Sequence, residues 1–430
     1  MATTELVYDP YDPVIDRDPH EVWRRLRDEA PLYRNDDLGF YALSRYDDVL
    51  AGLLDWETYS SARGTLLEII DPLAPENDGP DEGALLEIID PLAPETDGPY
   101  DGAPMIFTDP PYHDLLRGLV SRAFTPRRTA ALEERIRGLC RDGLDAVAGG
   151  REFDFVEDFA GPIPAMVIGE LLGIPAADQR LLGRWADQLM HYDPDLETGD
   201  EIQGMRQMSP TKLEGVTNLM AYLRDAVEDR AAHPGDDLVS GLLAAEIAHE
   251  GGARRLSRGE VISFFLLLFT AGSETTARLL GWSAVLLARH PDQRARLVGD
   301  RALVPNAVEE LLRYESPSPI QARWVTRDVE LHGRVVPAGS KMALLNAAAN
   351  RDGRHFPDPD RFDVGRPIDR TLAFGYGAHF CLGAALARLE GRVVLDEVLD
   401  RLPAWDVDED RVEFVRTTTV RGPARVPVSR

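Results

Sequence analysis

Phe374-Gly375-Tyr376-Gly377-Ala378-His379-Phe380-Cys381-Leu382-Gly383 runs without a break into Ala384-Ala385-Leu386-Ala387-Arg388-Leu389-Glu390. Three glycines in this loop allow the backbone to pass close to something flat and bulky. The residues after Gly383 read as a strong helix, so Cys381 sits at a helix N-terminus. The dipole and the unpaired N–H groups there favour a thiolate, and a thiolate is the form that ligates metal. A single cysteine is ordinarily a small buried hydrophobe. Cys140 fits that description, set among Ile136, Leu139 and Leu144. For Cys381 the glycines and the following helix favour the ligand instead.

Working outward, residues 258–290 read as a long helix, apolar on nearly every side around Val261, Ile262 and Phe264 to Phe269. A helix apolar all round is a buried one. Inside it lies Ala271-Gly272-Ser273-Glu274-Thr275-Thr276. A mid-helix glycine and a buried acid both cost stability, and local rules are broken in this way where function is expected. The plainer alternative makes Glu274 the start of an exposed half, with Arg278 as its i+4 partner. Glu310 and Arg313, in Glu309-Glu310-Leu311-Leu312-Arg313, would by default be a surface i,i+3 pair. In Asp109-Pro110-Pro111-Tyr112-His113-Asp114-Leu115-Leu116-Arg117, His113 and Arg117 lie one helical turn apart.

The rest of the chain reads as helix at 20–29, 47–54, 113–149, 165–190, 214–231, 305–314 and 382–401. A strand is expected at Phe40 to Leu43, and a small β region at 329–345 with turns at Gly333 and Pro337-Ala338-Gly339. Of the 430 residues 44% are hydrophobic, and no long linker divides them, so one large domain, 1–430, is expected. With 74 acidic against 47 basic residues, a net charge of −27, nucleic acid is excluded as a partner. Two cysteines, an acidic N-terminus and apolar runs too short to span a bilayer point to a cytoplasmic protein with no membrane segment. Residues 66–84 and 85–103 are a tandem repeat, differing only at Asn77/Thr96, Asp81/Tyr100 and Glu82/Asp101. The repeat holds 11 acidic and no basic residues and many prolines, and reads as a long surface loop with an apolar cluster in each copy, Leu66 to Ile70 and Leu85 to Ile89.

The Cys381 segment resembles the haem-binding loop of the cytochrome P-450 family, whose pattern is Phe-Gly-x-Gly-x-(His/Arg)-x-Cys-x-Gly. Every defined position is met, by Phe374, Gly375, Gly377, His379, Cys381 and Gly383. The resemblance runs from about residue 8 to Val428 and takes in Asn350-Arg351-Asp352 and Arg421-Gly422-Pro423. It implies a mostly α fold with a small β region, and haem b with Cys381 as the axial ligand of its iron. A thiolate ligand donates electron density that favours O–O cleavage. It further implies that Phe374 packs near the sulfur and that His379, His113, Arg117 and Arg323 meet the haem propionates. Thr275 would hydrogen-bond bound dioxygen and Glu274 would relay protons, with Ala271 and Gly272 making room beside them. Glu310, Arg313 and Arg361 would form a buried structural cluster. The pocket would be lined by the loop 66–104, Leu267, Leu268, Ala271, Ile320 and Thr418. The duplicated loop departs from the family and makes transfer of any substrate unsafe.

The expected reaction is insertion of one atom of O2 into an apolar, mid-sized organic molecule, by hydroxylation or epoxidation, in specialised metabolism. With no flavin or iron–sulfur motif in the chain, electrons would come from a separate ferredoxin and ferredoxin reductase, docking on a face with Arg117, Arg122, Arg388 and Arg392. Two rivals are a peroxide-driven haem-thiolate enzyme, against which Glu274-Thr275 argues, and a non-catalytic haem sensor or electron carrier.

Overall fold

A computed structural model describes residues 6–70, 104–190, 210–249, 252–417 and 419–430. The elements used below are helices α1 (His20–Glu29), α2 (Tyr46–Leu54), α3 (Tyr112–Ser121), α4 (Glu133–Val147), α5 (Pro162–Leu172), α6 (Arg258–Arg289), α7 (Val304–Tyr314) and α8 (Ala384–Arg401). The strands are β1 (Leu32–Asn35), β2 (Phe40–Leu43), β3 (Tyr59–Ser60), β4 (Gln321–Val325) and β5 (Lys341–Leu344).

The centre of the fold is α6. A capping box starts it: Ser257 Oγ accepts from the Glu260 N–H at 3.1 Å, and the Glu260 carboxylate accepts from the Ser257 N–H at 2.7 Å. Pro291 follows its end and opens the next helix, Pro291–Gly299. Phe264, Phe265, Phe269, Leu280, Trp282 and Val285 on α6 are all buried in the main core, and α5 and α8 pack against it. Two expected helices divide where the sequence supplies breakers. The stretch 113–149 becomes α3, Pro126–Ala131 and α4, with Pro126 at the first position of the middle piece. The stretch 165–190 divides into α5 and Ala176–Met190 at Gly173, a left-handed C-cap with φ +81°. Among the described residues no single helix is long and apolar enough to cross a membrane.

Five strands form one sheet in the order β1-β2-β5-β4-β3. Strands β2 and β5 pair in parallel, Leu43 opposite Leu344, while β5 and β4 are antiparallel, Met342 opposite Arg323. The expected hairpin at Gly333 is present, Val329–Leu331 against Arg334–Val336.

Two expectations are corrected. The first unit of the repeat does not begin as surface loop: Leu67, Ile69 and Ile70 are buried, and Leu67 and Ile70 pack with Tyr8, Trp23, Phe40 and Ile320. The backbone explains why the segment can dock. Thr65 O accepts from Ala322 N at 2.9 Å, Leu67 O accepts from Lys341 Nζ at 3.0 Å, and Gly64 takes φ +105° close against Ile69. The remainder of the repeat, including Leu85 to Ile89, lies outside the described residues. The second correction concerns Arg361, whose side chain is 64% exposed and faces Asp363 at 3.5 Å. The buried third member is Arg366, whose Nε lies 3.2 Å from Glu310 Oε1, while Glu310 and Arg313 pair at 2.6 Å with no exposure at all. Arg361 contributes only its backbone carbonyl, accepting from Arg366 at 2.7 Å and Arg313 at 3.3 Å.

Candidate functional site

Helix α6 carries an accessible strip on an otherwise buried surface. Ser263, Leu267, Ala271 and Thr275 all keep solvent access, and they recur every four residues, which places them on one face. Ala271 is exposed although Thr270 and Ser273 beside it are buried. Thr275 Oγ1 donates to Ala271 O at 2.8 Å. Glu274 is buried, and Arg278, one turn further on, gives Nη1 to Pro423 O at 2.6 Å. Leu268 does not lie on the strip; it is buried in the main core. Gly272 serves helix packing, since a Cβ there would come within 3.1 Å of Ile168 on α5. Ile320 is buried beside Leu67 and Ile70, and Thr418 lies outside the described residues.

The cysteine loop is shaped by two left-handed glycines, Gly375 at φ +64° and Gly377 at φ +72°. A Cβ at Gly377 would press within 2.6 Å of Leu53 O at the end of α2, so the glycine permits a backbone-to-backbone approach. Gly383 needs no such conformation. Cys381 N donates to Phe374 O at 2.9 Å, closing the loop. Helix α8 begins three residues later than the thiol, at Ala384. Burial pushes the Cys381 thiol up from its usual pKa, against the opposing pull of the Gly383 and Ala384 N–H groups and of Arg117 and Arg388. The expected net lowering is therefore not found in the chain by itself: desolvation outweighs the helix terminus and the arginines. Cys140 is wholly buried, and desolvation pushes its thiol to about 12, as expected of an inert core residue.

Beside Cys381 the fold gathers donors. His113 and Arg117 come from α3, Arg323 from β4, and His379 from the cysteine loop. The rings of His113 and His379 lie 4.3 Å apart, and the Nε2 of each is buried without a hydrogen-bond partner. Arg117 Nη2 donates to Phe380 O at 2.7 Å. Arg323 is buried, and burial lowers its pKa to about 10, opposed by the charge of Asp109. Burial together with Arg323, His113 and Arg117 drives His379 down to about 2, which means that protonating it would add a further buried positive charge. No described carboxylate pairs with Arg117, Arg323 or His379; His113 meets Asp114 at 3.2 Å through Nδ1 alone. Buried cations are expected to be paired. A donor set of this kind fits a buried ligand with two carboxylates, beside a thiol free to bind metal, and haem is such a group.

The expected cationic face is altered. Arg388 is held by Glu309 at 2.5 Å and Arg392 by Glu133 at 2.6 Å. Arg122, Arg127 and Arg128 are exposed with no ion pair among the described residues. Sequence reasoning missed Arg366. Arg366 could have been noticed as an arginine close to Arg361, but its pairing with Glu310 spans 56 residues.

Comparison with known proteins agrees with this geometry. A model of the family described as Cytochrome P-450 matches residues 211–420. A putative cytochrome P-450 123 of Mycobacterium tuberculosis is 40% identical over 430 residues, covering 100% of this chain and 98% of the relative. Cyclomarin C epoxidase CymV of Salinispora arenicola is 35% identical, covering 96% of each. Among solved structures, CYP109E1 from Bacillus megaterium in complex with testosterone superposes with a TM-score of 0.81 at 30% identity, covering 96% of this chain and 98% of that one. Thiol loop, central helix and full-length likeness agree: the chain belongs to the cytochrome P-450 family of haem-iron monooxygenases.

Proposed function

We propose that this chain is a single catalytic domain that binds haem b through Cys381 and hydroxylates or epoxidises an apolar, mid-sized organic substrate in specialised metabolism. The observation that carries the reading is the cluster of His113, Arg117, Arg323 and His379, whose guanidinium groups no described carboxylate neutralises, next to a cysteine on a glycine-shaped loop. Arg117 and Arg323 would hold the propionates by charge-assisted hydrogen bonds, with the two imidazole Nε2 atoms as further partners. When bound, the haem supplies activation of molecular oxygen. The accessible strip Leu267, Ala271 and Thr275 forms one wall for the substrate, and its apolar members suit an apolar molecule. Glu274, buried and adjacent to Thr275 in the chain, would relay protons through the Thr275 hydroxyl. CymV, a relative named as an epoxidase, supports oxygen insertion of this kind.

Electrons would arrive from a separate ferredoxin and its reductase, in the cytoplasm. The exposed Arg122, Arg127 and Arg128 are the surface offered to an acidic partner.

Substitution of the two cysteines tests the reading. Cys381→Ser should abolish the long-wavelength CO band of reduced thiolate-ligated haem, while Cys140→Ser should keep it. Retention of that band in Cys381→Ser would falsify the assignment.

A further inference from the structure

Arg323 is aimed without being neutralised. Its Nη2 donates to Gln321 Oε1 at 3.0 Å and its Nη1 to Ala322 O at 2.8 Å. Both acceptors are neutral. Asp109 is near enough for its charge to act on Arg323, yet its carboxylate is occupied, accepting from Ser60 Oγ at 2.5 Å and Ser61 N at 2.9 Å. Gln321 also faces the cysteine loop: a Cβ added to Gly375 would lie 3.2 Å from Gln321 Nε2. One amide therefore spans the space between the buried guanidinium and the loop that bears Cys381. Residues 321 and 323 are two apart on β4, so their side chains share a face of the strand.

A carboxylate at position 321 would make a stronger bond to Arg323 but would cancel its charge. An apolar residue would leave the charge but not its direction. A neutral amide orients the guanidinium and leaves its charge for an anionic ligand. We propose that Gln321 is a positioning residue for the cofactor: it fixes Arg323 toward a haem propionate from a place beside the thiolate loop. The inference rests on the haem-thiolate reading given above.

Two substitutions separate orientation from charge. Gln321→Glu keeps the acceptor and adds a negative charge, so haem should transfer to apomyoglobin roughly tenfold faster and the ferric–ferrous midpoint potential should fall. Gln321→Leu removes the acceptor, so haem loss should rise about threefold with a smaller change of potential. In an Arg323→Met background Gln321→Glu should have little further effect, because the two residues act through one contact. Full additivity in that background would overturn the proposal, as would wild-type haem loss and potential in Gln321→Glu. If Gln321→Leu does not fold, the near-isosteric Gln321→Glu decides alone. The CO band of the unsubstituted protein distinguishes the two levels: its absence would overturn both readings, whereas a normal band with unresponsive variants overturns only the role of Gln321.

Discussion

Glu390 stands on α8, fully buried, with its Oε2 lacking any hydrogen-bond partner, and desolvation pushes its carboxyl to about 8. In the folded chain it keeps its proton in a range where the unfolded chain has released it. Its contribution is therefore intact at pH values below the ordinary carboxylate pKa of about 4.3, and is lost as pH rises from there through about 8. Glu390→Gln keeps the shape and removes the titration. It should leave stability at pH 4 nearly unchanged and raise it at pH 8.5 by on the order of 4–5 kcal/mol, since each pKa unit is worth about 1.4 kcal/mol, read by urea unfolding at the two values. Equal stability gains at both pH values would show that ionisation is not the cause. At this scale much was legible in the sequence: Cys381, His379 and His113 lie in stretches whose neighbours within ten residues carry the signal. The isolation of Glu390 was not legible, because α8 reads as a helix with a charged face and only packing decides which acid turns inward.

Elements show where local reading stops. The pairing of Glu310 with Arg313 lies within one helix and could be anticipated from spacing, but whether it is buried depends on what covers it. That cover is the segment 357–366, whose Arg366 inserts its guanidinium while Arg361 turns outward. Arg366 also donates to the carbonyls of Pro357, Asp358 and Arg361 at 2.5, 2.9 and 2.7 Å, so it closes its own segment into a clasp. Arg366→Met should cost about 3–5 kcal/mol, since it leaves part of Glu310 without a partner in the core. Arg361→Ala should stay within about 0.5 kcal/mol of the parent, as for other exposed positions. Thermal unfolding of the two variants side by side checks this, and the reverse ranking would restore Arg361 as the buried member. The helix breaks at Gly173 and Pro126 were likewise present as residues in the sequence but masked by strong apolar periodicity on both sides of each.

At the scale of the molecule, the repeat and the charge distribution become testable. Deleting residues 66–84 joins Thr65 to Leu85, and the chain after Thr65 still reads Leu-Leu-Glu-Ile-Ile-Asp-Pro. Because Leu67 and Ile70 are core residues, the deletion should be tolerated only through this restored sequence; removing 66–103 altogether should lower the thermal midpoint and the haem content sharply. Similar behaviour of the two deletions would deny the docked segment a structural part. For electron delivery, replacing Arg127 and Arg128 by Glu should slow reduction by an acidic ferredoxin about tenfold at low salt and flatten its dependence on ionic strength. An unaltered salt profile in stopped-flow reduction would place the docking surface elsewhere. The donor cluster has a consequence for how the protein comes into being. His113 and Arg117, Arg323, and His379 belong to three stretches far apart in the sequence, and only the closed tertiary structure brings them within reach of one another. A buried guanidinium and a half-buried one, with no described carboxylate paired to either, oppose that closure, and a bound dianion would supply the counter-charge that favours it. Cofactor capture and folding would then be linked, the folded form gaining stability as free haem concentration rises.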